Sequence, residues 1–281
     1  MCSKIDILLS TYNGERFLEE QINSILAQTY TDWRLLIRDD GSKDTTAAII
    51  EKYAVQYPDK ITWINKDNVC NVGVIKSFEE LMCASDADYF MFCDQDDVWL
   101  PFKVAETLEK LQSIEQEKGA DCPVVVHTDL QVVDGALNKL HDSMFAISKS
   151  SPQIIHARIQ YALLCNCITG CTLMGNKKAK ENALPFPSFI EMHDSWVARK
   201  VWLDGGKVDT LFKPTMLYRQ HGYNVVGANP SITLKQRWQY LKKCYRQYRL
   251  LHTRCTLIAP FAFLYYKCLF KLENKLKKSK S

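Results

Sequence analysis

Strands and helices alternate along the first half of the chain, and this alternation constrains the fold more than any other feature. Short apolar segments predict strands at residues 5–10, 33–38, 61–65, 89–93 and 124–127. Segments with the 3.6-residue period of helices lie between them, at residues 15–27, 44–57, 74–84 and 101–117. The pattern predicts an α/β fold with a mostly parallel sheet flanked by helices.

The second half of the chain is less regular. Its signals predict a helix at residues 158–165, a strand at 168–174, a helix at 193–203 and an extended segment at 211–219. The 281 residues are enough for one large domain or two small ones.

Polar residues follow three of the predicted strands directly, at residues 10–13, 38–42 and 93–97. Ligands of open parallel sheets bind beyond the carboxyl ends of the strands. We therefore expect these three groups to meet at one edge of the sheet.

The third group contains three carboxylates in four residues: Asp94, Asp96 and Asp97. These charges repel one another unless a cation compensates them, and oxygen ligands suit Mg²⁺ or Mn²⁺. The alternative is a solvated acidic turn or a helix cap, but the position directly after a buried strand favours the metal. The sequence contains no G-x-G-x-x-G, no P-loop and no G-x-S-x-G motif, which weakens the corresponding enzyme classes.

Several motifs together resemble family 2 glycosyltransferases. They are Thr11-Tyr12-Asn13, Asp39-Asp40-Gly41-Ser42, Asn71-Val72-Gly73 and Asp94-Gln95-Asp96-Asp97. T-G-C at 169–171 is a further match to the family. D-Q-D-D-V-W at 94–99, H-D-S-W at 193–196 and Y-R-Q-H-G-Y-N-V-V-G at 218–227 most resemble the rhamnosyltransferase-like branch. The resemblance implies a GT-A fold and an inverting, metal-dependent enzyme of surface polysaccharide synthesis that uses nucleotide-sugar donors. That branch often uses dTDP-rhamnose, and a hexose from a UDP-sugar is the alternative.

The resemblance also implies roles for individual residues. The nucleotide-sugar donor is expected to meet Thr11, Tyr12, Asn13, Asp39, Asp40, Asp94, Asp96, Arg219 and His221. Asp94 is expected to support either the basic side chains or the metal shell, and a structural role is the alternative for Asp39. Arg219 and His221 are expected close to the diphosphate. Asp97, with Asp96, is expected to hold the metal, and Asp194 is expected to be the catalytic base. A protonated His193 beside Asp194 would lower the pKa of that carboxyl.

Charge is distributed unevenly along the chain. Residues 231–281 contain thirteen Lys or Arg and one acid, a net charge of +12, whereas residues 1–230 carry −8. We therefore predict a glycosyltransferase domain at 1–230 and a basic, amphipathic helical extension at 231–281. The extension is expected to contact an anionic membrane surface, and the alternative is a helix packed on the body with a solvated Lys face. The acidic body argues against nucleic acid as a partner.

The eleven cysteines include a C-x-C-x-x-x-C cluster at 165–171 that lacks the spacing of a metal site, so we expect free thiols. The first apolar segment is too short for a signal-peptide core, so a cytoplasmic enzyme at the inner face of the membrane is expected. The expected acceptor is a glycan or a sugar on a polyprenyl diphosphate. The alternative functions are a sugar-phosphate nucleotidyltransferase and a non-catalytic membrane-associated partner.

Overall fold

A computed structural model describes residues 4–148, 151–221, 242, 245 and 259–278. The chain divides into two compact units. The first comprises Met1–Ala146 and Ile168–Arg219, and the second comprises Ile147–Cys167 and Gln220–Ser281. The predicted domain boundary after residue 230 lies outside the described residues and stays a prediction.

The first unit is built on one sheet, which has nine strands in the described part of the chain. The strands are β1 (Ile5–Thr11), β2 (Trp33–Asp39), β3 (Ile61–Trp63), β4 (Tyr89–Cys93), β5 (Val98–Trp99), β6 (Val124–Val133), β7 (Lys139–His141), β8 (Leu173–Asn176) and β9 (Lys207–Arg219). Their order is β3-β2-β1-β4-β8-β6-β9-β5, and β7 pairs with β6. β1 pairs in parallel with both β2 and β4, and β6 pairs in parallel with β9, whereas β8 runs antiparallel between β4 and β6. The α/β class with a mostly parallel sheet is therefore confirmed.

Helices surround this sheet, and the longer ones bury an apolar stripe. In the first unit the helices are α1 (Leu18–Leu26), α2 (Thr46–Gln56), α3 (Val74–Ala84), α4 (Lys103–Lys118), α5 (Met144–Ile147, whose last residue belongs to the second unit), α8 (Lys177–Ala183) and α9 (His193–Leu203). The core side chains of β1 and β4 are buried, as expected for strands covered on both faces.

The segment at 168–174 differs from its prediction as a single strand. Gly170–Thr172 form a short 3-10 helix, and β8 begins only at Leu173. Gly175 lies in β8 directly against Phe90, whose ring would be 2.5 Å from a Cβ at that position. β5, β7 and α8 are too short to give a periodic signal, so the sequence did not predict them.

The second unit contains α6 (Pro152–His156), α7 (Ile159–Leu164) and a C-terminal helix (Ala259–Lys278). The ring of Tyr161 packs edge-on against Phe270, with 5.2 Å between centroids. In the described part of the chain, no helix has the length and apolar character needed to cross a bilayer.

Candidate active site

Hydrogen bonds join the three polar groups at the carboxyl ends of the strands. Thr11 Oγ1 donates to Gln95 Oε1 at 2.5 Å, and the backbone N–H of Tyr12 donates to the same oxygen at 2.8 Å. The N–H of Asn13 donates to Ser42 Oγ at 2.9 Å. The loops after β1, β2 and β4 therefore form one edge of the site, as the sequence predicts.

The two adjacent aspartates at the carboxyl end of β2 are buried and hold loops. Asp40 accepts from Arg38 Nη1 at 2.7 Å, from the N–H of Val72 at 2.7 Å and from the N–H of Gly73 at 3.0 Å. Asp39 accepts from Ser42 Oγ at 2.5 Å. These carboxylates fix the turn after β2 and the loop before α3. Their expected contacts with a nucleotide stay predictions.

Among the residues predicted to face the nucleotide, Tyr12 and Asn13 are exposed, and the Tyr12 side chain is 49% exposed. Asn13 has a positive φ of 49°, which Asn tolerates better than most residues. Its side-chain oxygen accepts from the N–H of Lys43 at 2.8 Å. The loop after β1 thus presents the aromatic ring of Tyr12. Hydrogen bonds of Gln95 and Asn13 hold the backbone of this loop.

A cluster of potential metal ligands lies at the end of β4. One ligand atom each of Asp94, Asp97 and Cys171 lies within 4.8 Å of the others. Asp97 is 0% exposed; its Oδ1 accepts from the N–H of Arg219 at 3.1 Å. Its Oδ2 is buried, with no hydrogen-bond partner in the described part of the chain. Asp96 is half-buried beside them.

Burial makes negative charge costly in this cluster. It raises the pKa of Asp94 to about 7, with further contributions from the charges of Asp96 and Asp194. Burial and the neighbouring carboxylates likewise raise the pKa of Asp97 well above its usual range. A divalent cation would relieve both effects, so the donor set fits a metal.

The buried cation of Lys103 lies close enough to this cluster to interact with the charge of Asp97. Lys103 is fully buried; its Nζ donates to Thr215 Oγ1 at 3.3 Å and lies 4.8 Å from the centroid of the Trp99 ring. Burial lowers the pKa of Lys103 to about 8. No ion pair joins it to a carboxylate in the part of the chain that is described, although the charge of Asp97 acts on it.

The sequence did not predict the position of Cys171 in this cluster. Its thiol is fully buried, and burial beside Asp97 and Asp94 raises its pKa well above the usual range. The local cysteine spacing gave no indication, because its neighbours are carboxylates distant in sequence. The one available signal was its place in the T-G-C motif.

Asp194 lies in the first turn of α9 and is 5% exposed. Its Oδ1 accepts from the N–H of Ser195 at 2.5 Å. Burial raises the pKa of Asp194 to about 6. Its charge also contributes to the raised pKa of Asp94, so the predicted base lies near the acidic cluster.

His193 does not supply the imidazolium that would lower the pKa of Asp194. The ring of His193 stacks on Phe78 with 3.8 Å between centroids and meets the edge of Phe92 at 4.6 Å. Burial in this apolar setting lowers the pKa of His193 to about 3, so the imidazole is neutral. The pKa of Asp194 is therefore raised by burial, the opposite of what an imidazolium would cause.

Arg219, at the end of β9, is buried and holds several loops together. Its Nε donates to the carbonyl of Asp96 at 2.8 Å, and Nη1 donates to the carbonyl of Gly135 at 2.8 Å. Nη2 pairs with Glu20, and the guanidinium lies 4.3 Å from the centroid of the Phe17 ring. To contact a diphosphate as predicted, the Arg219 guanidinium would have to reach it while keeping these bonds. His221 is half-buried and belongs to the second unit, so its role stays a prediction.

Comparison with known sequences identifies the relatives of this chain. Residues 6–182 match the model of the family described as Glycosyl transferase family 2. An uncharacterized glycosyltransferase of Nostoc sp. is 29% identical over 242 residues, which cover 83% of this chain and 70% of that protein. The dTDP-rhamnosyl transferase RfbG of Shigella flexneri is 30% identical over 247 residues, which cover 81% of this chain and 76% of that protein.

Comparison with solved structures identifies the fold. TarS 1–349 of S. aureus, in complex with UDP-GlcNAc, is similar with a TM-score of 0.58 and 18% identity, over 93% of this chain and 71% of that chain. The mannosyltransferase PcManGT of Pyrobaculum calidifontis, in complex with GDP-Man and Mn²⁺, has a TM-score of 0.58 and 14% identity. That match covers 100% of this chain and 76% of the other. The predicted GT-A fold is thereby confirmed.

Proposed function

Because the chain belongs to glycosyl transferase family 2, we propose that it is an inverting, metal-dependent enzyme that transfers a sugar from a nucleoside diphosphate to an acceptor hydroxyl. The observation that carries the proposal is the buried carboxylate of Asp194 close to the acidic cluster of Asp94, Asp96 and Asp97. A proton acceptor and a site for a cation thus lie at the same end of the sheet. Single-displacement glycosyl transfer needs both.

The nucleoside is bound by the loops after β1 and β2. Tyr12 offers an exposed aromatic face against which a base can stack. Thr11 and Asn13 keep that loop in place, and Asp39 and Asp40 fix the facing turn through the bonds described above. Both carboxylates are nearly fully buried, so we assign them the holding of the donor loops first, and a contact with a base N–H or a ribose hydroxyl would use a lone pair that these bonds leave over.

Asp96 and Asp97 would hold the divalent metal, and Asp94, whose carboxylate lies close to that of Asp97, would support it. The buried Oδ2 of Asp97, which lacks a hydrogen-bond donor in the described residues, is the atom that most needs a cation. When Mn²⁺ or Mg²⁺ is bound, it supplies positive charge to the departing diphosphate without a proton. Arg219 keeps the acidic loop in place through the carbonyl of Asp96.

Asp194 accepts the proton of the acceptor hydroxyl. As the hydroxyl oxygen forms its bond to the anomeric carbon, the bond from that carbon to the diphosphate oxygen breaks. The proton passes to the Asp194 carboxylate, and the nucleoside diphosphate leaves with the electron pair. A base with a pKa of about 6 is ionised at neutral pH and more basic than an ordinary aspartate, which suits this transfer.

We favour rhamnose from dTDP-rhamnose as the donor sugar, because one relative that covers most of this chain is named a dTDP-rhamnosyl transferase. A hexose from a UDP-sugar is the second candidate, supported by the structural likeness to TarS bound to UDP-GlcNAc. The acceptor is a growing glycan or a sugar on a polyprenyl diphosphate in surface polysaccharide synthesis. The enzyme works at the inner face of the cytoplasmic membrane, with its basic C-terminal region at the lipid surface.

A thermal-shift comparison tests the proposal. The protein is melted with dTDP, UDP or GDP, each with and without Mn²⁺. We expect the largest rise in melting temperature with dTDP and Mn²⁺; a larger rise with UDP would select the UDP-sugar alternative. Asp97→Asn should lose the Mn²⁺-dependent part of the rise, whereas Asp59→Asn, an exposed site, should keep it. Absence of any nucleotide-dependent rise would count against a glycosyltransferase of this kind.

A further inference from the structure

The C-terminal helix Ala259–Lys278 has two apolar faces on opposite sides. Helical residues are about 100° apart around the axis. Phe263 and Phe270 therefore share one side, and both are buried. Phe270 packs against Tyr161 of α7, within the same unit. This side accounts for how the helix is held on its unit.

The opposite side is apolar as well, but it is exposed. Phe261, Leu264, Tyr265, Cys268 and Leu272 follow the spacing i, i+3, i+4, i+7 and i+11, which places them on one face. We name this set the outer face. Its four large side chains are between 56% and 76% exposed. Contiguous exposed apolar surface of this kind marks an interaction site rather than an ordinary solvated helix.

The charges around the outer face are positive. Lys271 and Lys275 are exposed; Lys271 lies at the border of the outer face, and Lys275 follows it at the C-terminal end. The one acid of this helix, Glu273, is turned towards Arg158, with 3.9 Å between the charged atoms. The sequence from 231 to 281 carries thirteen Lys or Arg against this single acid. The partner of the outer face must therefore accept both apolar side chains and cations.

We propose that the outer face lies on an anionic lipid surface, with its apolar side chains among the acyl chains and Lys271 and Lys275 at the headgroups. A second copy of the chain fits less well, because two strongly basic regions would be brought together. The helix would lie along the surface, since it lacks the apolar character of a spanning helix. The inference rests on the membrane location in the proposed function and assigns that contact to named residues.

Vesicle sedimentation of the full-length protein tests the assignment. One set of vesicles contains equal parts of phosphatidylglycerol and phosphatidylcholine, and the other contains phosphatidylcholine alone. We expect binding to the anionic vesicles that weakens with added salt, and little binding to the neutral ones. The triple variant Phe261→Ser, Leu264→Ser, Leu272→Ser should bind at least about tenfold more weakly, because it loses apolar burial. Lys271→Gln with Lys275→Gln should bind roughly twenty-fivefold more weakly, at about fivefold per lysine.

Phe212→Ser provides the matched control. Phe212 is an aromatic residue of the first unit, 53% exposed, and remote in sequence from the C-terminal helix. This variant should bind vesicles like the unmodified protein. Equal binding by the triple variant would overturn the proposal. A dimer in light scattering that the triple variant converts to a monomer would also overturn it, because a second copy would then cover the outer face.

A second measurement needs no substitution. Cys268 of the outer face and Cys83 of α3 are both exposed thiols. Anionic vesicles should slow the alkylation of Cys268, followed by mass spectrometry of its peptide, and should leave Cys83 unchanged. Equal rates at Cys268 with and without vesicles would contradict the proposal. Nucleotide-dependent thermal shifts of the same samples report separately on the catalytic proposal, so either one can fail alone.

Discussion

Burial gives Asp194 the proton affinity that a base at neutral pH needs. Its carboxyl lies in the first turn of α9, and its pKa of about 6 arises from desolvation, partly offset by the hydrogen bond from the N–H of Ser195. The sequence identified this residue through the H-D-x-W motif. It did not predict the cause of its basicity, because the environment is made by residues distant along the chain.

Asp194→Asn should reduce transfer by about a hundredfold or more, the usual contribution of a general base. Binding of the nucleoside diphosphate with Mn²⁺ should not change, because the donor loops and the acidic cluster stay intact. Turnover with the donor and acceptor, set beside thermal shifts with the nucleotide, measures both. Asp204→Asn, at the other end of α9, is the control. Full turnover in the Asp194 variant would remove this residue as the base.

The rate should also depend on pH through the same carboxyl. Only the ionised form accepts a proton, so turnover should fall about tenfold per pH unit below about pH 6 and level off above it. The measurement is turnover under saturating donor and acceptor across the acidic range. A midpoint close to pH 4, the value of an ordinary aspartate, would show that the base is solvated during catalysis.

Three residues show where reasoning from the sequence stops. His193 is adjacent to Asp194 in the chain, yet its ring stacks on Phe78 and is neutral. Arg219 sits in the expected motif, yet its guanidinium binds carbonyl groups and Glu20. Cys171 joins the acidic cluster only because the turn before β8 meets β4. A motif fixes a residue's position along a strand or helix, but neighbours from elsewhere decide its charge and its contacts.

At the scale of elements, the long periodic segments were predictable and the short ones were not. α3, β4 and α9 have the predicted bounds, because each has a complete apolar stripe or run. The polar loops at the strand ends were also predictable, because parallel strands bring their carboxyl ends to one edge. The start of the antiparallel strand β8 was not predicted, because the apolar run of this strand continues through the preceding 3-10 helix.

A substitution at Gly41 tests whether the turn after β2 shapes the donor site. The φ of Gly41 is +81°, and a Cβ there would lie 3.0 Å from the backbone nitrogen of Asn71. Gly41→Ala should therefore cost backbone strain of about 1 kcal/mol. It should also displace the loop before α3 that Asp40 holds. We expect weaker binding of the nucleoside diphosphate, measured by titration calorimetry.

Gly119→Ala separates the backbone strain caused by Gly41→Ala from the steric contact with the loop before α3. Gly119 also has a positive φ, +93°, but a Cβ there has no atom within 4 Å. Both variants should lose stability through backbone strain, the Gly41 variant more because its Cβ also meets Asn71, and only the Gly41 variant should lose nucleotide affinity. Equal nucleotide affinity in both would show that the turn after β2 does not shape the donor site.

At the scale of the whole molecule, the small net charge of +4 conceals two opposite parts. The acidic part includes the buried cluster at the end of β4, where like charges are held together at a cost to stability. The basic part includes the outer face of the C-terminal helix. A bound cation would neutralise the acidic cluster, and an anionic lipid surface would neutralise the basic region.

The cost of the acidic cluster should appear in the dependence of stability on pH. The pKa of Asp94 is about 7 in the folded protein, against 3.8 for an ordinary aspartate. Between these values the folded state binds more protons than the unfolded state, so this group lowers the free energy of unfolding as pH rises. Asn resembles the protonated carboxyl and cannot ionise.

Without metal, Asp94→Asn should therefore match the unmodified protein at about pH 4 and be more stable at about pH 8, by on the order of a few kcal/mol. Excess Mn²⁺ should raise the melting temperature of the unmodified protein at the higher pH and that of the variant much less, because the variant lacks the charge that the metal compensates. Thermal melts in a chelator and in Mn²⁺ across this range provide the measurement. A stability difference between the two proteins that does not change with pH would show that Asp94 titrates normally and that the cluster stores no uncompensated charge.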